Sequence, residues 1–78
     1  MTTEGPLDRA GTTARGLKAG TWEAVESLAL LAIAGADRPE AAEFLQKATA
    51  TAAKLKAGTW DAVRALAWLD RAQREVGR

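Results

Sequence analysis

The sequence predicts an all-α fold, a tandem duplicated helical hairpin whose four helices form a small bundle with a weak first helix. Three observations predict it. The segment Leu17-Lys18-Ala19-Gly20-Thr21-Trp22 recurs as Leu55-Lys56-Ala57-Gly58-Thr59-Trp60, an offset of 38 residues. In that register, from Leu7/Leu45 to Arg38/Val76, 16 of 32 compared pairs are identical, which chance does not sustain over a whole register. On either side of each Gly-Thr-Trp corner, apolar residues recur at steps of three and four, the period of one helix face. Residues 1–5 read as a flexible N-terminal tail. Residues 6–78 read as a single helical domain of two hairpin units, about 6–36 and 37–76.

The first helix carries the stripe Leu7, Ala10, Ala14 and Leu17. Gly11 and Gly16 weaken it, because glycine costs roughly 1 kcal/mol relative to alanine inside a helix. Gly20 and Thr21 then form a corner. The second helix has no polar side chain between Ser27 and Asp37, so it reads as buried on all sides. Asp37 and Glu40 suit a capping box for the third helix, with Pro39 in its first turn. That helix carries Ala41, Leu45, Ala48, Ala52 and Leu55 on one face. Gly58 suits a left-handed position beyond its end, and Thr59 suits the N-cap of the fourth helix, which runs to about Val76. Trp22 and Trp60 are expected to pin the two corners to the core. Leu66 is expected at the centre of the fourth helix's apolar face.

A repeat of 38 residues lies in the range of helical-hairpin units. The tetratricopeptide Trp/Leu/Gly/Tyr spacing is absent, and no family resemblance is identified.

Composition narrows the function. The chain has no cysteine and no histidine, which removes disulfides, thiolate chemistry, histidine acid–base work and Cys/His metal sites. The acid pairs Glu23/Glu26 and Glu40/Glu43 sit near helix starts, where carboxylates belong electrostatically. No phosphate-binding glycine loop and no base-activated nucleophile is present. The expectation is no enzyme, no cofactor and no metal. The most apolar run, Leu28–Ala36, is too short for the roughly 20 residues of a membrane span. Residues 1–20 lack the apolar block of a signal peptide, and the chain reads as cytoplasmic.

What remains is binding. Four short helices offer too little cover for a second helix that is apolar all round, and a second copy of the chain is the simplest remaining surface. The reading is an interaction and self-assembly module, forming a homodimer or larger oligomer and docking another protein. Leu30, Ile33 and Trp68 are its candidate anchors, with Arg64 and Arg71 at the rim, since Trp and Arg are enriched at interface hot spots. Trp68 replaces Leu30 in the second unit and is expected to point away from Leu66; the bland reading has it closing the edge of the domain's own core. Residues 20–45 carry five acids against one arginine, and residues 46–78 seven bases against three acids. That asymmetry would steer copies together, or simply reflect solvated helix faces. The alternative is a small DNA-binding regulator, with a helix-turn-helix-like corner and the 60–76 helix, bearing Arg64, Arg71, Arg74 and Arg78, as reader. A net charge of +1 argues against it.

Overall fold

Apolar residues at helical spacing, broken by glycine and capped by threonine, give four helices in the computed structural model, which describes residues 5–16 and 20–76. They are α1 (Pro6–Gly16), α2 (Trp22–Ala34), α3 (Glu40–Lys54) and α4 (Trp60–Val76). The tail expected over residues 1–5 and the repeat positions Leu17, Lys18 and Ala19 fall, apart from Gly5, outside the described residues.

The threonine caps form as their chemistry requires. The Thr21 hydroxyl accepts from the Ala24 N–H at 3.0 Å, and the Thr59 hydroxyl from the Ala62 N–H at 3.2 Å. Each satisfies one of the orphan donors of a helix start. Gly20 has a φ of +121°, a value L side chains rarely adopt.

Gly58 departs from expectation, since its φ is not positive. The third helix ends instead at Leu55 in extended conformation, whose N–H reaches the Ala52 carbonyl. The chain therefore leaves α3 straight and needs no left-handed residue. The capping box of Asp37 and Glu40 is also absent. The residue before α3 is Pro39, with no side-chain cap bond. The Arg38 N–H closes a turn onto Gly35, and this turn sets the entry to α3.

The core is built mostly from alanine. Val25, Leu28, Ala29 and Ala32 of α2 meet Phe44 and Ala48 of α3 and Ala65, Leu69 and Ala72 of α4. Small side chains let the helices approach closely, and a molecule 17 Å across its thinnest axis accommodates two helix layers. Helices α2 and α4 lie side by side and run in the same direction. The Trp22 indole N–H donates to the Lys56 carbonyl at 3.0 Å, joining the start of α2 to the corner before α4. Four residues on, Glu26 meets Arg64 at 2.8 Å. Helix α1 is the least anchored, burying only Gly11, which sits against the Phe44 ring. Arg15 stacks over that ring at 5.2 Å, and Arg38 grips Asp8 at 2.8 Å.

Two expectations about faces are corrected here. Helix α2 is not buried on all sides: Glu23, Ser27, Leu30 and Ala34 form an exposed stripe beside α1. The buried face of α4 centres on Ala65 and Leu69, not on Leu66. The alanines at 62, 65 and 72 pack closest, and Leu66 is rotated roughly 100° from Ala65 towards the edge.

Candidate interaction surface

That rotation decides which side chains reach solvent. Trp60 is 86% exposed, Val63 58% and Leu66 39%. Together with exposed Ala67 they form an apolar surface over the first half of α4. Trp60 is therefore no core pin, unlike Trp22, whose ring packs against the core and whose N–H is bonded. Among the described residues, no other helix covers the outer side of α4. The second half of the same side is polar, with Arg71, Asp70 and Arg74, the last two forming an ion pair.

A second apolar surface lies between α1 and α2. Leu30, 39% exposed, sits in an open groove of about 840 Å³ between α1 and α2. Pro6, Ala10, Thr13, Ser27 and Ala34 line it with Leu30. A third hollow, of about 560 Å³, opens between α3 and α4, among Leu45, Gln46, Thr49, Ala50, Gln73 and Val76.

The five candidate interface residues are not brought to one place. Leu30 reaches the α1–α2 groove. Ile33 is half-buried against the core. Trp68 packs on the core as well, turned inward because Ala65 and Ala72, three before and four after it, lie on the buried side. Arg64 is exposed and held by Glu26 at 2.8 Å and Asp61 at 3.8 Å. Arg71 is exposed on α4. Of the arginines a DNA reader would need, Arg64 and Arg74 already face acids, and Arg78 lies outside the described residues.

The acidic residues work as struts. Glu26 joins α2 to α4, and Glu43 takes Arg15 at 3.6 Å and Lys47 at 3.7 Å. Exposed pairs of this kind are each worth about 0–1 kcal/mol. The Asp8 carboxyl is held below its ordinary range, first by the Gly5 N–H it accepts at 3.2 Å and then by Arg38. None of the helices among the described residues is long and apolar enough to cross a membrane.

The residues that sequence reasoning missed as surface are Trp60, Val63 and Leu66. Their signal was present: α4 carries two apolar stripes, one of alanines with Leu69 and one of larger side chains. Compared with known proteins, the chain matches no family model, no curated protein and no solved structure.

Proposed function

We propose that the chain is a non-enzymatic protein–protein interaction module, a helical-hairpin unit that self-associates and docks a partner protein. The supporting observation is the exposed apolar side of α4, where Trp60 is 86% and Val63 58% exposed and no described residue covers them. A tryptophan covered by a partner contributes roughly 150–250 Å² of burial by itself. Contiguous apolar surface rimmed by polar groups marks interaction sites on small proteins, and Asp61, Asp70 and Arg71 supply that rim.

A photo-reactive residue in place of Val63, expressed in the chain's own host, tests the reading. Crosslinks to protein from position 63, with none from an exposed control at Lys54, are the expected result. No protein crosslink from position 63 would overturn it.

A further inference from the structure

The surface left open on the second hairpin is the counterpart of the surface that the first hairpin buries. Trp22, Val25, Leu28 and Ala29 lie in or against the core. In the 38-residue register their counterparts are Trp60, Val63, Leu66 and Ala67, the exposed side of α4. Val25 is 0% exposed and Val63 58%. The converse also holds. Phe44, Ala48, Ala65 and Ala72 are buried, and Trp68 half-buried, where the second hairpin meets the first. Their counterparts Pro6, Ala10, Ser27, Ala34 and Leu30 line the open α1–α2 groove.

The hollows follow the same rule. Leu7, Asp8, Gly11, Thr12 and Gly35 line a cleft that Ala41 and Phe44 of α3 flank. The counterparts of those five, Leu45, Gln46, Thr49, Ala50 and Gln73, line the hollow at the far end, where no described element follows. Each hairpin thus has two dissimilar sides, and inside the chain one side of the first meets the other side of the second. The contact joins like to like in direction: Glu26 and Arg64, which touch at 2.8 Å, are themselves counterparts.

We infer that the occupant of the open α4 side is a second copy of this chain, docked head to tail. Its α1–α2 groove receives Trp60, Val63 and Leu66, repeating the contact between the two hairpins within one chain. This rests on the functional reading above and names its partner. Charge fits the arrangement. At such a junction Arg64 of one copy lies beside Glu26 of the next, so acid and base alternate along the row. The contact joins two different surfaces, so it does not close on itself as a two-fold dimer does; it adds further copies. Asp70 stands where the internal contact has Ala32, and Arg71 where it has Ile33. Both place charge against an apolar contact, so the junction is weaker than the internal one.

Two variants test the inference. Leu30→Glu blocks the groove and leaves the α4 side intact; Val63→Glu does the reverse. Both positions are exposed, and unchanged helicity by circular dichroism checks the fold, with Ala34→Glu as a second groove variant. In sedimentation velocity each variant alone is expected to remain a monomer. Mixed, they are expected to form a one-to-one complex that grows no further, since one intact groove and one intact α4 side remain. Asp70→Ala is expected to lower the concentration at which the otherwise native chain associates, and to change nothing on the Val63→Glu background. Assembly of Leu30→Glu by itself would overturn the inference in favour of pairing through α4 alone, and a mixture that stays monomeric would overturn it outright. A native chain that stays monomeric while position 63 crosslinks a different protein would overturn the inference and leave the interaction reading standing.

Discussion

One substitution, made at two counterpart positions, should give two different answers. Val25→Ala removes two methyl groups from a side chain with no exposed surface. At about 0.8 kcal/mol per group, plus a cavity that closes only in part, the loss is about 2–3 kcal/mol. Alanine returns up to about 0.6 kcal/mol as the better helix former, leaving a net destabilisation near 2 kcal/mol. Val63→Ala removes the same groups from a side chain that is 58% exposed. Its smaller transfer loss is nearly cancelled by the same propensity gain, so the net change lies within about 0.5 kcal/mol of zero. Urea unfolding below the association range is the assay. Val25→Ala should lower the midpoint by about 1–2 M and Val63→Ala should leave it in place. Equal shifts at the two positions would refute the claim that one hairpin face is covered and its counterpart bare.

Three further outcomes are expected. Gly20→Ala should destabilise by about 1 kcal/mol because its φ is +121°, while Gly58→Ala, with no positive φ and open space around a new Cβ, should be neutral or stabilise slightly; thermal melts of the pair check this. Trp22→Phe removes the indole bond to the Lys56 carbonyl and should cost about 1 kcal/mol, while Trp60→Phe should leave the urea midpoint unchanged. The carboxyl of Asp8 is depressed in the fold, so the tether it makes to Arg38 is complete above its unfolded pKa and is lost as pH falls through the lower folded value. Backbone shifts at Gly5 and Asp8 should therefore move below about pH 4 while those at the centre of α2 hold, and Asp8→Asn should remove that local response.

Much of the fold was legible because the signals that set it are local. Thr21 and Thr59 cap helices through their own hydroxyls, and the corners fall where glycine and threonine place them. What was not legible was which side of each helix faces inward. On α4 the sequence offers Trp60, Val63 and Leu66 against Ala62, Ala65, Leu69 and Ala72, and size alone favours the first set. Packing favours the second, since alanines let α4 lie close against α2, and close approach buries Leu69 and draws Trp68 inward. Gly58 departs from expectation for a related reason. A left-handed glycine ends a helix that must turn at once, whereas Leu55 lets α3 run out in an extended strip. Of the candidate site, Leu30 was found from the excess of apolar residues on α2. Trp60 was not, because a counterpart of half-buried Trp22 was expected to share its environment. Helices α2 and α4 have different neighbours, and the outer side of α4 has none among the described residues.

Mass against concentration for the unaltered chain tests the central claim most directly. Sedimentation or light scattering from micromolar to millimolar protein should show a weight-average mass that rises continuously from the 8.2 kDa monomer, with no plateau at two copies. A mass that stays at the monomer throughout, or that stops at the dimer, would contradict head-to-tail assembly through the α4 side and the α1–α2 groove.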